Sequence, residues 1–208
     1  MEKKLIVTIA REFGSGGREI GLGLSKALGI AFYDKEILKK AAQESGIVEE
    51  LFENADEKPT NSFLYSLSLS ATPLRNGGFT DYSDYLTNDK LFLIQSKTIK
   101  DIADRESCVI IGRCSDYVLR GYKGLFSVYI HAPLEMRIQR IARMQNIDED
   151  AARALIKKTD KNRANYYSFY SDKDWGSAHS YDLSIDAGRF GTDGAIEIIK
   201  NACQYAAK

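Results

Sequence analysis

The feature that most constrains the fold of this chain is an apolar run that leads directly into a cluster of glycines. Residues 5–10, L-I-V-T-I-A, have the composition of a short buried strand, and residues 11–18, R-E-F-G-S-G-G-R, follow it. Beyond the glycines, a helix ending at Gly29 is indicated by apolar residues at helical spacing: Ile20, Leu22, Leu24, Ala27 and Leu28. A strand, a glycine-rich turn and a helix in this order predict one unit of a parallel sheet covered by helices.

The rest of the chain repeats this alternation. Further apolar runs predict strands at 30–33, 107–111, 126–130 and 181–186. Between and after them we expect helices capped by Asp34 and Asp148, a helix with Pro133 at its first position, and helices at about 88–105 and 193–205. We therefore predict an α/β fold in three layers, a five-stranded parallel sheet with helices on both faces, whose ligands bind beyond the carboxyl ends of the strands.

The glycine cluster has the properties of a phosphate-binding loop. Glycines let backbone N–H groups turn toward phosphate oxygens, and a helix that begins immediately afterwards adds its positive end. The candidate phosphate-binding residues are Gly14, Ser15, Gly16, Gly17, Arg18 and Glu19. The alternative is a tight strand-to-helix turn that binds no ligand.

Composition excludes several other classes of protein. The 29 basic and 29 acidic residues cancel, so the chain as a whole does not attract nucleic acid or anionic lipid. Its apolar runs fall short of the ~20 residues that cross a bilayer, and residues 1–4 lack the features of a signal peptide. Three cysteines, an odd number without metal-ligand spacing, predict reduced thiols and a cytoplasmic location.

Four segments resemble the cytidylate kinases: V-T-I-A-R-E-F-G-S-G-G-R-E-I-G, F-Y-D, V-I-I-G-R-C and Y-I-H-A-P-L-E-M-R-I-Q-R-I. The first of them resembles most closely the form found in a divergent branch, the cytidylate kinase-like family. This resemblance implies a P-loop NTPase-type fold with a helical insertion and a lid, ATP as donor, Mg²⁺ as cofactor, and a nucleoside monophosphate such as CMP or dCMP, or another small acceptor, as substrate.

The loop departs from the standard P-loop, G-x-x-x-x-G-K-[ST]. With Gly16 at the second glycine position, Gly17 stands where the lysine belongs, and Glu19 stands where cytidylate kinases carry threonine. Arg18 is the nearby cation that could neutralise the phosphates if its side chain folds back. Ser15 or Glu19 could hold Mg²⁺. The same departures support an alternative, a catalytically weak or inactive nucleotide-binding sensor or scaffold.

On the acceptor side, the resemblance assigns binding roles to Asp34 and to Arg113 of the I-I-G-R-C segment. A buried arginine needs an anion, which here would be the acceptor phosphate, Asp34 or Asp116. Residues 49–89 hold eight acidic and two basic side chains and are expected to form an acceptor-side insertion. Arg75 within it is a further candidate phosphate ligand.

On the opposite side, residues 137–163 hold eight basic and four acidic side chains. Asp160-x-x-Arg163 matches the second half of the R-D-x-x-D-x-x-R lid motif of cytidylate kinases, with Lys157 close to where the first half would lie. We therefore predict a single kinase-like domain over 1–208, a lid-like segment over 146–175, and catalytic roles for Arg18, Arg163, Asp160 and Lys157. Asp160 and Arg163 are spaced to pair with each other, and a solvated helix face is the alternative.

The partners expected from these features are small. A nucleotide or other phosphorylated molecule is the predicted substrate, with no nucleic acid and no membrane. The tyrosine-rich residues 162–174 could stack a base or form a contact in a homo-oligomer.

Overall fold

The computed structural model describes residues 4–47, 49–55, 57 and 81–206. Its strands are β1 (Ile6–Arg11), β2 (Ala31–Tyr33), β3 (Cys108–Ile111), β4 (Leu125–His131) and β5 (Leu183–Asp186). All pair in parallel, in the order β2-β3-β1-β4-β5. The predicted five-stranded parallel sheet is confirmed.

The helices flank this sheet. They are α1 (Gly17–Leu28), α2 (Glu36–Ser45), α3 (Glu49–Ala55), α4 (Asp81–Arg105), α5 (Ser115–Val118), α6 (Leu134–Gln145), α7 (Glu149–Ser171) and α8 (Ala187–Ala206), with a 3₁₀ turn at Ala178–Ser180. The described part of the chain contains no helix whose length and hydropathy would let it cross a bilayer.

Alternate side chains of β1 pack on opposite faces of the sheet, as the strand period requires. Val7 and Ile9 join a core that includes Ile20 of α1 and Ile199 of α8. Ile6 packs instead in a core that includes residues of α2 and α4. The result is the predicted three-layer arrangement, and its central strand carries the glycine loop.

Helix boundaries differ from the sequence prediction where local signals compete with tertiary contacts. The helix expected from about residue 88 begins at Asp81, and the one expected from 193 begins at Ala187, with a break at Gly191 (φ 68°, ψ 178°). Pro133 precedes its helix as the cap residue and is not its first residue. Asp148 caps α7 as predicted, accepting the Ala151 N–H at 2.7 Å.

The structure also tests the predictions made for Asp34 and for the three cysteines. Lys35 occupies the cap position of α2, so the prediction that Asp34 caps this helix is wrong, because the Asp34 carboxylate bonds arginines instead. The three cysteines are free and buried, as expected for reduced thiols. Predictions that fall on 58–80, including that for Arg75, lie outside the described residues.

Candidate functional site

The glycine loop joins the central strand β1 to α1 at the carboxyl edge of the sheet. Gly14 and Gly16 adopt φ values of 85° and 86°, a left-handed conformation that glycine reaches at little cost. Gly16 is the cap residue of α1, and among the described residues no side chain caps this helix. The first N–H groups of α1 therefore have no acceptor within the helix, which makes its N-terminus suited to an anion.

Close packing explains why glycine is needed at these positions. A Cβ at Gly17 would lie 2.6 Å from Cβ of Arg11, and one at Gly14 would lie 3.0 Å from the side chain of Ile141. A Cβ at Gly16 would lie 3.3 Å from Nη1 of Arg140. Arg140 thus lies directly beside the loop. The sequence does not predict this position, because nothing in it distinguishes Arg140 from the other basic residues of 137–163.

The start of the loop is held by Asp160 of the predicted lid segment. Its Oδ1 accepts the Phe13 N–H at 2.8 Å, and its Oδ2 lies 2.6 Å from Nη1 of Arg137. The expected pair between Asp160 and Arg163 is therefore wrong. Their spacing allows it, but the N–H of Phe13 and the buried Arg137 take the carboxylate.

Arg163 reaches the same loop from one helical turn further along α7. It donates to the Arg11 carbonyl at 3.0 Å and pairs with Glu57 at 2.8 Å. Glu57 also lies 2.5 Å from Nη1 of Arg11. Burial alone would raise the pKa of Glu57, but Arg11, Arg163 and Arg113 outweigh it and hold that pKa well below its ordinary value. Burial lowers the pKa of Arg11, opposed by Glu57.

Arg18 points toward the acceptor side of the site. Its Nε lies 2.8 Å from Oδ2 of Asp34, and its side chain is 61% exposed. The sequence leaves the direction of the Arg18 side chain open, and in the structure Asp34, just after β2, holds it. Arg113 lies 3.4 Å from the other oxygen of Asp34 and is almost fully buried. Asp34 is one of the anions considered for Arg113, and the structure places it in contact. Asp116, another of them, accepts a hydrogen bond from Tyr167 at 2.6 Å.

A strained turn presents Arg113 to the site. Gly112, Arg113 and Cys114 have φ values of 68°, 58° and 52°, three successive left-handed residues of which only the first is glycine. Such a conformation costs energy for residues with a side chain and is concentrated at functional sites. Here it directs the Arg113 N–H toward Oε1 of Glu57, 3.3 Å away.

These groups surround a cavity of about 380 Å³, in the range of small-molecule sites. Its walls include the glycine loop, six cationic side chains (Arg11, Arg18, Lys35, Arg113, Arg140 and Arg163) and four carboxylates (Glu12, Glu19, Asp34 and Glu57). The excess of positive charge favours an anionic ligand. The structure thus brings together the predicted Gly14, Gly16, Gly17, Arg18, Glu19, Asp34, Arg113 and Arg163, whereas Lys157 is exposed on α7 and is not part of this wall.

The fit of a magnesium ion depends on Ser15 and Glu19. The described residues contain no cluster of three or more metal-binding side chains. Mg²⁺ bound with a nucleotide needs few protein oxygens, since phosphates and water supply the others. The buried Ser15 hydroxyl has no hydrogen-bond partner in the described part of the chain, so it is an available oxygen. Glu19 pairs with Arg140 at 2.5 Å. Ser15 fits the role better.

The tyrosine-rich segment packs within its own chain. Tyr166 and Tyr167 are buried in a cluster with Cys114, Tyr129 and Tyr181. These two tyrosines therefore pack in the core beside the site, while Phe169 of the same segment is exposed.

Comparison with known proteins identifies the family. Residues 6–189 match the model of the cytidylate kinase-like family. A cytidylate kinase of Methanocaldococcus jannaschii is 30% identical over 105 residues, 49% of this chain and 58% of that enzyme. A cytidylate kinase of Haloarcula marismortui is 22% identical over 202 residues, 96% of this chain and 90% of the enzyme.

Solved structures share the fold. An uncharacterized protein from Eubacterium ventriosum has a TM-score of 0.70 and 25% identity, covering 97% of this chain and 99% of its own. A shikimate kinase from Bacteroides thetaiotaomicron has a TM-score of 0.56 at 11% identity, covering 96% and 98%, which shows likeness of fold alone.

Proposed function

Because this chain belongs to the cytidylate kinase-like family, we propose that it is a nucleotide kinase that moves the γ-phosphoryl group of ATP to CMP, dCMP or a related small acceptor. The observation that carries the proposal is the N-terminus of α1 at Gly16, which no side chain of the described residues caps and which opens into a cavity lined by arginines. Phosphoryl transfer requires positioning and neutralisation of phosphate charge more than covalent chemistry by the protein.

The donor phosphates are assigned to the glycine loop. Backbone N–H groups at the start of α1 would bind phosphate oxygens, with Arg140 beside Gly16 and Arg163 beside Arg11 supplying positive charge. Mg²⁺, when bound, would neutralise further phosphate charge, and we assign the Ser15 hydroxyl as the protein oxygen that would hold it, because that hydroxyl has no other partner among the described residues.

The acceptor is assigned to the opposite wall, where Asp34, Arg113 and Arg18 meet. Arg113 and Arg18 would bind the acceptor phosphate, and Asp34 orients both guanidinium groups through its two oxygens. During transfer, an oxygen of the acceptor phosphate bonds to the γ-phosphorus while the bond to the leaving ADP breaks. Arg18 belongs to the first turn of α1 and pairs with Asp34 of the acceptor wall, so we assign to it a role in stabilising the charge that develops during transfer.

The segment 146–175 is proposed as the lid. Asp160 and Arg163 connect α7 to the loop residues Phe13 and Arg11. A segment that closes against the phosphates in this way excludes water and prevents hydrolysis of ATP in place of transfer.

A thermal-shift titration with ATP, GTP, CMP and dCMP, with and without Mg²⁺, tests the assignment of both walls. A ligand that binds the folded state at one hundred times its Kd stabilises it by about 2.7 kcal/mol. We expect a shift with ATP and an additional shift with one monophosphate, the latter weakened in Arg18→Ala. Arg153→Ala is the matched control, because Arg153 also forms an exposed ion pair, 3.0 Å from Glu135.

A coupled assay of ADP formation then measures turnover. ADP release that depends on CMP or dCMP supports the kinase. Saturable binding without turnover favours the alternative, a nucleotide-binding sensor or scaffold on the same fold. No shift with any nucleotide contradicts both.

A further inference from the structure

Glu57 occupies a position in the site that has the donors of a phosphate-binding pocket. Its Oε1 lies 2.5 Å from Nη1 of Arg11 and 3.3 Å from the backbone nitrogen of Arg113. Its Oε2 lies 2.8 Å from Nε of Arg163. The side chains of Arg11, Glu57 and Arg163 are each only 13% exposed. Arginine forks and backbone N–H groups are the donors that bind carboxylate and phosphate alike.

The receptor around Glu57 is assembled from distant parts of the chain. Arg11 ends β1, Arg113 follows β3, and Arg163 belongs to α7. Gly112 leaves the space that the pair needs, since a Cβ there would overlap both the Arg11 guanidinium and the Glu57 carboxylate. The left-handed turn that follows directs the Arg113 N–H inward. A strained turn and a required glycine distinguish this arrangement from a chance surface ion pair.

The carboxylate of Glu57 also lies where two cavities meet. Arg11, Glu57, Arg113 and Arg163 line the large cavity beside the glycine loop, and the same four residues line a smaller cavity that continues toward Trp175. Glu57 therefore lies on the route by which a phosphate at the loop would reach the arginines.

We propose that Arg11, Arg163 and the Arg113 N–H form a phosphate subsite for which Glu57 and a nucleotide phosphate compete. This inference rests on the proposed function, because the competing ligand is a phosphate group of one of its substrates. A dianion placed beside an ionised Glu57 would meet like charge in a buried setting, whereas exchange of Glu57 for phosphate keeps both guanidinium groups paired. Binding of phosphate thus requires Glu57 to leave, and Glu57 lowers the affinity of the site.

Titration calorimetry with inorganic phosphate on the wild type and on Glu57→Gln tests the competition. We expect Glu57→Gln to bind phosphate at least about tenfold more tightly, and the gain to disappear when Arg163→Gln is added. Glu135→Gln, which removes a carboxylate from an exposed ion pair with Arg153, should leave phosphate binding unchanged. Equal or weaker binding by Glu57→Gln would overturn the proposal, since Glu57 would then support the site.

A second variant, Glu57→Asp, tests the same competition in case Glu57→Gln does not fold. Glu57→Asp keeps the charge but shortens its reach, so its phosphate affinity should lie between those of the wild type and Glu57→Gln. Affinity no higher than that of the wild type counts against the competition. In either variant that folds, phosphate should raise the melting temperature by more than it does in the wild type.

Titrations with ATP and with CMP identify the source of the phosphate. Tighter binding of CMP alone assigns the subsite to the acceptor, and tighter binding of ATP alone assigns it to the donor. Wild-type turnover without any gain in Glu57→Gln refutes competition and leaves the kinase proposal intact. A gain without turnover supports competition and counts against the kinase.

Discussion

Arg137 and Asp160 join two helices at the base of the glycine loop. Nη1 of Arg137 lies 2.6 Å from Oδ2 of Asp160, and the other carboxylate oxygen accepts the Phe13 N–H at 2.8 Å. Arg137 also donates to the Phe13 carbonyl at 3.3 Å, and its side chain is 9% exposed. A buried ion pair therefore fixes both backbone groups of the residue that precedes Gly14.

Replacing Asp160 with Asn should weaken both the fold and the loop. The change leaves the buried Arg137 with the carboxylate of Glu12, 3.4 Å away, in place of the closer Asp160, so we expect a loss of about 3 kcal/mol in the free energy of unfolding. Urea unfolding measures this loss, and ATP titration should show weaker binding. Glu135→Gln, at an exposed pair, should cost less than about 1 kcal/mol. Equal losses of unfolding free energy in the two variants would show that burial of the Arg137–Asp160 pair does not increase its contribution to stability.

Gly16→Ala should abolish phosphate binding beyond its effect on stability. Gly16 and Gly46 both have positive φ, 86° and 69°, so alanine should cost about 1–2 kcal/mol at either position. A Cβ at Gly16 meets Arg140, whereas one at Gly46 meets open space. Melting curves with and without ATP should therefore show a similar loss of stability in both variants and loss of the ATP shift in Gly16→Ala alone. An intact ATP shift in Gly16→Ala would move the nucleotide away from this loop.

Acid should remove the stability that Glu57 contributes. Its folded-state pKa is lowered, so its contribution is complete above its ordinary value of 4.5 and is lost as the pH falls through the folded value. We expect Glu57→Gln to be about 3 kcal/mol less stable than the wild type at neutral pH. The difference in the free energy of unfolding between the two proteins should become smaller when urea unfolding is repeated from about pH 7 down to about pH 3. A gap that widens with acid would mean that the Glu57 pKa is raised in the fold.

The three cysteines should resist alkylation in the native protein. Burial raises the pKa of Cys108 to about 12, that of Cys203 to about 11, and that of Cys114 well above its usual value. Because the thiolate is the reactive form, iodoacetamide at mildly alkaline pH should add no label, while unfolding in urea should expose all three thiols. Intact-mass measurement counts the labels. Rapid native labelling of Cys114 would show that the turn after β3 opens.

Local patterns predicted the sheet and the loop well, because both depend on neighbours in sequence. Apolar runs of four to six residues identify the strands of a parallel sheet, and a glycine cluster between a strand and a helix identifies the loop. The family resemblance, carried by the same segments, is confirmed by the match over residues 6–189.

What could not be predicted is which charged side chains meet across the fold. Asp34 satisfies the local rule for a helix cap, yet two arginines from other elements take its carboxylate. Asp160 has a suitable partner one turn away, yet the loop and Arg137 bind it instead. Glu57 belongs to a segment without clear periodicity, and its role depends on Arg11 and Arg163, 46 and 106 residues away. Tertiary pairing overrides local preference at each of these positions.

The central place of β1 in the sheet also has a consequence for synthesis of the protein. Ile6 pairs in register with Cys108 on one side and with Leu125 on the other. A ribosome therefore releases the glycine loop long before it releases the strands that flank β1, and Asp160 emerges later still. Until those segments are made, the nascent chain carries this loop without the framework that shapes it. The proposed nucleotide binding can therefore begin only after Asp160 has left the ribosome, and the apolar β1 has no partner strand until residues 108–131 have followed it.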